Sequence, residues 1–214
     1  AIIEAVQEQC ITVWFSAGYG HAGFPGMMPE VISVGGVYAH DILDGDDFLL
    51  EASDYSSSFD SKIYPGRHVP DFCGLVGMKP GAIYIMLPVE PGDQIDRGLG
   101  GNGYPNKDET GTDDGWAVIS GTSAASPQIA GICALLKQVQ PGLSPSLIKS
   151  ILRSSARDVK KGNSNGTCLT SREGLPAGNG HDGATGTGLV DAYAAYKLAR
   201  SVVIRNIHDL PSPR

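Results

Sequence analysis

The sequence lacks a long apolar run and any dense cluster of basic residues. Its 214 residues include 16 Lys and Arg against 23 Asp and Glu, which gives a net charge of −7 at pH 7. No stretch has the Lys and Arg density of a surface that binds the phosphate backbone, so a nucleic-acid partner is not expected. No apolar run approaches the roughly 18 residues that a transmembrane helix needs, so no membrane span is expected.

Cysteine is also scarce. Cys10, Cys73, Cys133 and Cys168 form no CxxC pair and no zinc-binding spacing, so the pattern assigns no disulfide and predicts no metal site. Cys10 precedes a strand-like run and Cys133 lies in an apolar helical run. Both are therefore predicted to be buried as small hydrophobic side chains.

Glycine and apolar residues are abundant instead. The sequence contains 29 glycines, and 41% of its residues are hydrophobic, which is typical of a globular domain with many tight loops. It opens with Ala-Ile-Ile-Glu rather than with Met, and we expect it to begin inside a longer polypeptide. In that case the lack of a signal peptide says nothing about the compartment.

Helical and strand-like segments alternate along the chain, which favours an α/β fold with a mostly parallel sheet. Ser144 and Pro145 have the residue types of an N-cap and a first helical position. Helices are predicted over 1–9, 127–137, from 145 and over 190–199, and strands over 11–15, 31–34 and 83–87. Residues 41–70 are predicted to be rich in loops, and residues 88–115 to form a long loop or hairpin.

The strongest chemical signal is the segment Gly121 to Gly131, Gly-Thr-Ser-Ala-Ala-Ser-Pro-Gln-Ile-Ala-Gly. Gly121 lets the chain turn sharply into a helix, which would expose the Ser123 hydroxyl and leave its N–H without a helical partner. The positive end of the helix dipole would stabilise an oxyanion there. Pro127 is expected in the first turn, where no hydrogen bond is lost. Gly-Thr-Ser is also a common N-cap, so these residues alone leave both interpretations open.

The segment resembles the nucleophile signature of the subtilase family, the subtilisin-like serine proteases. Residues 11–20, 24–36 and 186–192 resemble further family segments in the same order. The resemblance covers residues 1–199, with insertions at about 79–114 and 160–180, and leaves 200–214 as a polar tail. It implies a three-layer, subtilisin-like α/β fold with a mostly parallel central sheet, of which this chain is the C-terminal portion.

The resemblance implies a serine endopeptidase that hydrolyses peptide bonds through an acyl-enzyme on Ser123. The family's aspartate and histidine precede its serine, and no His-Gly-Thr-like segment is present. Both are therefore expected outside this chain, on an upstream segment or a partner chain. Without a base a serine hydroxyl is a poor nucleophile, so the chain alone is expected to be weakly active or inactive. Among its histidines, His21 is the strongest candidate base but is more typical of a loop residue.

Tyr19 stands where the family has its oxyanion asparagine. Its hydroxyl can donate a hydrogen bond, but its longer, rigid side chain could point away or fill the site, so we hypothesise that it weakens catalysis. By the same resemblance, the backbone of Ser16, Ala17 and Gly18 forms one wall of the pocket for the residue before the scissile bond. Gly23 would lie near the floor of that pocket and leave it open.

This chemistry requires no cofactor, and the expected partner is a polypeptide substrate. Subtilases often bind structural calcium, and two acidic stretches could supply its oxygen ligands. Neither matches a defined calcium loop, and solvated acidic loops are commoner. The resemblance also favours secretion. The two stretches are Asp44, Asp46 and Asp47, and Asp108, Glu109, Asp113 and Asp114.

Two alternatives stay open. Sedolisins also carry serine in a Gly-Thr-Ser turn, but they use an aspartate as oxyanion donor, which Tyr19 does not supply. A glutamate and aspartate pair on an upstream helix would identify them. The second alternative is a subtilase-like pseudoprotease that acts by binding, which Tyr19 and the missing aspartate and histidine motivate.

Overall fold

The computed structural model describes residues 1–45, 47–80, 84–170 and 174–202, and these form a mixed sheet covered by helices. None of the described helices combines the length and the apolar character needed to cross a membrane. In chain order the elements are α1 (Ile2–Gln7), β1 (Trp14–Ser16), β2 (Ile32–Asp44), β3 (Asp47–Ala52), β4 (Phe59–Asp60), β5 (His68–Val69), β6 (Phe72–Leu75), β7 (Ile85–Pro88), α2 (Gln94–Leu99), β8 (Trp116–Ile119), α3 (Thr122–Val139), α4 (Pro145–Ser155), β9 (Lys161–Gly162) and α5 (Ala192–Ser201).

Strand β2 organises the main sheet. Its first half lies between β1 and β6, and both neighbours run parallel to it, with Val34 opposite Ser16 on one side and Phe72 on the other. Its second half pairs antiparallel with β3, which pairs parallel with β9. The predicted parallel sheet is therefore confirmed for β1, β2 and β6, and an antiparallel ribbon extends it.

The prediction that residues 41–70 are rich in loops is wrong in its first part. β2 continues to residue 44, turns at Gly45 with a φ of +70°, and returns as β3. His40 and Glu51 form a cross-strand contact of 2.7 Å on this ribbon. The tip of the ribbon is exposed and most of the rest is half-buried. Its residues therefore lack the continuous apolar run by which buried strands are recognised.

Residues 85–119 contain a separate antiparallel hairpin of β7 and β8, with α2 between the strands, as the hairpin prediction allowed. Asp93 caps α2 by accepting hydrogen bonds from two backbone N–H groups. Asp96 is fully buried, and its Oδ2 accepts from Gly92 N at 2.8 Å and Gly115 N at 3.1 Å. These bonds tie the two ends of the hairpin loop together.

Helix α3 is the central helix and packs on β1, β2, β6 and α5. Ile129, Cys133 and Leu136 are buried on one face, as their helical spacing predicts. A Cβ atom at Gly74 would lie 3.0 Å from Cβ of Ala125, so β6 and the start of α3 are in close contact. This contact holds the first turn of α3 beside the carboxyl ends of β1 and β6.

The ends of the other helices follow ordinary capping rules. The Ser144 hydroxyl accepts from Leu147 N at 3.2 Å, and Pro145 opens α4, as predicted. Asp191 caps α5, which runs two residues past its predicted end; residues 203–214 of the predicted tail lie outside the described part. The prediction that Cys10 is buried is wrong, because it follows α1 in a left-handed turn (φ +55°) that leaves it exposed.

Candidate active site

Ser123 occupies the first turn of α3. Gly121 precedes it with a φ of +138°, a conformation that favours glycine, and a Cβ there would collide with the Tyr19 hydroxyl. Thr122 is fully buried, whereas Ser123 is exposed. Pro127 lies deeper than predicted: α3 begins at Thr122, so the proline falls in the second turn and the Ser123 carbonyl has no helical N–H donor.

The turn after β1 approaches the start of α3. Ala17 N donates to Val34 O at 2.8 Å, which extends the pairing of β1 with β2. Gly18 N then donates to Thr122 Oγ1 at 3.2 Å, a buried bond that links the two turns directly. Ser123 and Tyr19 are brought together as a result, although they are 104 positions apart in the sequence.

The Tyr19 hydroxyl lies against both the side chain and the backbone of Ser123. Tyr19 Oη donates to Ser123 Oγ at 3.3 Å and accepts from Ser123 N at 3.5 Å. Both distances exceed the usual limits of about 3.0 and 3.2 Å for such bonds, so each contact is weak. The phenol thus fills the position next to the N–H that would stabilise an oxyanion, one of the two outcomes considered for Tyr19.

Tyr55 and Ser120 support the ring of Tyr19, and the sequence analysis missed both. The rings of Tyr19 and Tyr55 lie 5.6 Å apart. The Tyr55 hydroxyl bonds to Ser120 Oγ at 2.5 Å, and Gly77 N donates to the same oxygen at 2.6 Å. Burial raises the pKa of Tyr55, which keeps its hydroxyl protonated. No sequence signal identifies Tyr55, because its role depends on tertiary contacts alone.

The imidazole of His21 lies against Gly18 and Gly23, two of the residues that the resemblance assigns to the substrate pocket. A Cβ at Gly18 would come within 2.5 Å of the ring, and one at Gly23 within 3.5 Å. His21 Nδ1 accepts from Tyr19 N at 3.3 Å, and His21 N donates to Ser57 Oγ at 3.1 Å. These bonds fold the chain back after Gly20, whose φ is +76°, and hold the ring between the two glycines.

No described histidine makes a hydrogen bond to Ser123, whose side chain and backbone N–H both contact the Tyr19 hydroxyl. His40 pairs with Glu51, and His68 bonds to Asp60 and to a backbone carbonyl. His208 lies outside the described residues. The described part of the chain therefore brings the candidate nucleophile together with an oxyanion position but not with a base.

An open cleft of about 400 Å3 lies beside Ser123. Its surface is mostly apolar and includes two tyrosine rings, together with an asparagine and a lysine. The lining residues are Tyr19, Tyr55, Lys79, Ser120, Gly121 and Asn165.

The Asp108 and Asp114 carboxylates of the second acidic stretch make local hydrogen bonds. Both oxygens of Asp108 accept bonds, from Thr110 and from Val118 N, and Asp114 accepts from Gly111 N and Trp116 N. Among the described residues no three Asp, Glu, His or Cys side chains form a group that could hold a metal. The side chains of Asp44, Asp46 and Asp47 lie outside the described part, so calcium at that stretch stays a prediction.

Together these features define an α/β protein with an exposed serine in the first turn of its central helix. Comparison with known families agrees with that description. The sequence model of the Subtilase family matches residues 3–188, and the chain belongs to this family. The resemblance of residues 121–131, and the subtilisin-like α/β fold that it implied, are thereby confirmed.

Known relatives match parts of the chain. Subtilisin-like protease SBT4.12 of Arabidopsis thaliana is 38% identical over 81 residues, which is 37% of this chain and 11% of that protein. SBT4.13 of the same plant is 35% identical over 102 residues, or 47% of this chain and 13% of that protein. The chain thus spans a small share of the length of these relatives.

Solved structures share the fold. Fervidolysin from Fervidobacterium pennivorans, a keratinolytic enzyme related to subtilisin, has a TM-score of 0.55 and 25% identity, covering 89% of this chain and 23% of fervidolysin. Pseudomonas sedolisin, a serine-carboxyl proteinase, has a TM-score of 0.52 and 22% identity, covering 94% and 58%. The fold alone therefore does not separate subtilases from sedolisins.

Proposed function

We propose that this protein is a serine endopeptidase in which Ser123 forms the acyl-enzyme. The observation that carries the proposal is the exposed Ser123 hydroxyl at the start of α3, beside a backbone N–H that has no helical partner. That N–H and the positive end of the helix are suited to charge that develops on a substrate carbonyl oxygen. An N-cap would not need the serine itself, because the cap position is Gly121.

The reaction would proceed in two halves. Ser123 Oγ attacks the scissile carbonyl carbon while its proton passes to a histidine, and the carbonyl oxygen becomes an oxyanion beside Ser123 N. The tetrahedral intermediate collapses when the C–N bond breaks, and the leaving amine takes the proton from the histidine. Water then attacks the ester, gives a proton to the same histidine, and releases the acid and the free serine.

The histidine and its aspartate partner are proposed to lie outside residues 1–214. Support comes from the described histidines, which are engaged with other groups than Ser123. Family order gives the same answer, because the aspartate and histidine precede the serine. The complete enzyme would then need this chain for nucleophile and oxyanion site, and another segment or chain for the base. By the family resemblance we also propose that it is secreted.

The Tyr19 hydroxyl is proposed to block the oxyanion site until a substrate carbonyl displaces it. The hydroxyl accepts from Ser123 N, the donor that a substrate carbonyl needs, so the two compete for the same hydrogen bond. At 3.3 and 3.5 Å each contact is worth less than the roughly 1 kcal/mol of an ordinary neutral bond. Substrate could therefore displace the phenol at small cost, and Tyr19 would lower turnover without abolishing it.

His21 is proposed to limit the size of the substrate side chain before the scissile bond. By resemblance Gly18 and Gly23 line that pocket, and both lie against the His21 ring. The ring is exposed and rests on the pocket wall, so it leaves room for a small side chain rather than a large one. Polypeptides with a small residue before the cleaved bond are therefore expected to be the preferred substrates.

Covalent labelling by a fluorophosphonate probe, located by mass spectrometry, tests the nucleophile. The intact protein should be modified at Ser123, and Ser123→Ala should remove the label. Ser126→Ala, which changes a buried serine about one turn further along α3, should keep it. A folded, intact protein that carries no label at Ser123 would overturn the peptidase proposal. It would support the second candidate, a pseudoprotease that binds polypeptides, which the Tyr19–Ser123 contact also motivates.

A further inference from the structure

A second cleft, which shares no lining residue with the cleft beside Ser123, is lined by several cationic side chains. It has a volume of about 300 Å3 and is lined by two arginines, one lysine, two histidines and one aspartate. The excess of two positive charges is notable in a chain with a net charge of −7. We call it the basic cleft, and its charged and titratable residues are Arg67, His68, Asp71, Lys149, Arg153 and His181.

The carboxylate of Asp71 is already fully engaged. It is 1% exposed, and it accepts from Arg67 Nη1 at 2.6 Å and Nη2 at 2.9 Å, from Lys149 Nζ at 3.0 Å and from Ser33 N at 2.8 Å. Burial raises its pKa, but Lys149 and Arg67 outweigh that effect, so the pKa is below its ordinary value. Asp71 therefore stays ionised and neutralises one of its two cations.

The donors of Lys149 and most of those of Arg67 are also engaged. Lys149 Nζ donates to Val31 O at 2.8 Å and Pro29 O at 3.3 Å in addition to Asp71. The Nη groups of Arg67 also donate to two backbone carbonyls. Arg67 Nε, however, is buried and has no hydrogen-bond partner. An unsatisfied, charged donor in a residue that is 8% exposed costs free energy unless a ligand accepts from it.

Arg153 and His181 also line the cleft. Arg153 is exposed and makes no hydrogen bond or ion pair to the described residues. The His181 ring lies 5.4 Å from that of His68. Burial lowers the pKa of His181, and the charges of His68 and Arg153 lower it further, against the opposing effect of Asp182. The carboxylate oxygens of Asp182 accept four local hydrogen bonds, from Gly178 N, from Ala184 N and from both N and Oγ1 of Thr185.

We propose that the basic cleft binds a phosphate-type oxyanion, which Arg67 Nε, Arg153 and His181 hold together. A doubly charged anion would balance the two excess positive charges. A tetrahedral anion offers oxygens in several directions, which suits three donors that approach from different elements. Guanidinium groups form short, charge-assisted bonds with such oxyanions. This site lies apart from the proposed serine chemistry and does not depend on it.

Titration of the intact protein with inorganic phosphate, followed by NMR of the histidine ring protons, tests this proposal. At constant pH and ionic strength, the His181 signal should move with a saturable dependence on phosphate, because an anion beside the ring favours its protonated form. Potassium chloride at the same ionic strength should not produce that movement. His181→Gln identifies the signal.

Arg153→Gln should weaken phosphate binding by about tenfold or more, since one charge-assisted bond contributes on the order of that factor. Arg153 is exposed, so the variant should fold, and Arg200→Gln in α5 is the control with the same change of charge and unchanged affinity. Three results would overturn the proposal: no saturation, equal binding by the Arg153→Gln variant, or acetate binding as tightly as phosphate.

Discussion

The two polar centres of this molecule differ in how their hydrogen bonds are made. Around Asp71 the bonds are 2.6–3.0 Å long and the carboxylate is 1% exposed. Around Ser123 the contacts to Tyr19 are 3.3 and 3.5 Å long, and Tyr19 is 47% exposed. One centre has its groups paired in short, buried bonds, and the other has weak contacts that a ligand can replace.

We expect the Asp71 centre to contribute to folding stability and the Ser123 centre to determine reactivity. A buried charge that loses its partner is left without solvent or counter-ion, so the Asp71 centre can be altered only at a large cost in folding free energy. An exposed hydroxyl with weak contacts can exchange its partners at little cost, as a nucleophile must during each turnover. We therefore expect changes at Asp71 to affect unfolding and changes at Tyr19 to affect rates.

Asp71→Asn is expected to give the largest loss of stability. The amide keeps the shape of the side chain but leaves Arg67 and Lys149 buried without a counter-charge, which should lower the free energy of unfolding by about 3–5 kcal/mol. Urea denaturation followed by circular dichroism measures this. Asp60→Asn is the matched control, because Asp60 is 84% exposed and its pair with His68 should contribute less than about 1 kcal/mol. Equal effects of the two variants would contradict the comparison.

The stability contributed by Asp71 should depend on pH with a defined sign. Its folded pKa lies below the ordinary value, so the contribution is fully present above the unfolded pKa of about 4 and is lost as the pH falls through the folded pKa. The difference in unfolding free energy between wild type and Asp71→Asn should therefore be constant from neutral pH down to about 4 and shrink below it. A difference that grew towards acid would show that Asp71 is not held ionised by its partners.

Tyr19→Asn is expected to raise turnover of the intact protein. It removes the hydroxyl that competes for Ser123 N and restores the amide donor of the family, whose removal from subtilisin costs about 10²–10³ in kcat. The gain should approach that range in kcat and leave the unfolding free energy within about 0.5 kcal/mol. Steady-state peptidase assays and urea denaturation measure the two effects. Unchanged turnover would refute the hypothesis that Tyr19 weakens catalysis.

His21→Ala should produce the smallest change, confined to substrate preference. Without the ring, the space between Gly18 and Gly23 opens, and kcat/KM for peptides with Leu or Phe before the cleaved bond should rise by about tenfold relative to Ala peptides. The serine chemistry itself should be unaffected. A uniform loss of activity on all peptides would instead show that His21 takes part in the reaction.

The parts of the structure that depend on residues close together in the sequence were predicted correctly. The buried faces of α3 and α4, the cap at Ser144 and the serine turn each depend on a few neighbouring residues, and the family match covers the same segments. The exposed ribbon of β2 and β3 carries no strong periodic signal and was predicted as loops. The prediction that Cys10 is buried was wrong, because Cys10 itself adopts a left-handed turn conformation and is exposed.

The surroundings of the site were harder to predict, because they arise from long-range contacts. Tyr55 bonds to Ser120, which is 65 positions away in the sequence, and Tyr19 contacts Ser123, which is 104 positions away. The sequence raised two positions for the Tyr19 side chain, pointing away or filling the site, and gave no basis for choosing between them. The close packing of Gly74 on Ala125, which positions the first turn of α3 beside β6, also brings together segments that are distant in the sequence.

The rate at which a fluorophosphonate labels Ser123 in the intact Tyr19→Phe variant tests the central claim most directly. This change deletes only the hydroxyl that accepts from Ser123 N, and it keeps the ring that packs on Tyr55. If the hydroxyl plugs the oxyanion site, the variant should be labelled at least as fast as wild type. Labelling slowed by about tenfold or more would mean that Tyr19 is the oxyanion donor, and would contradict this account.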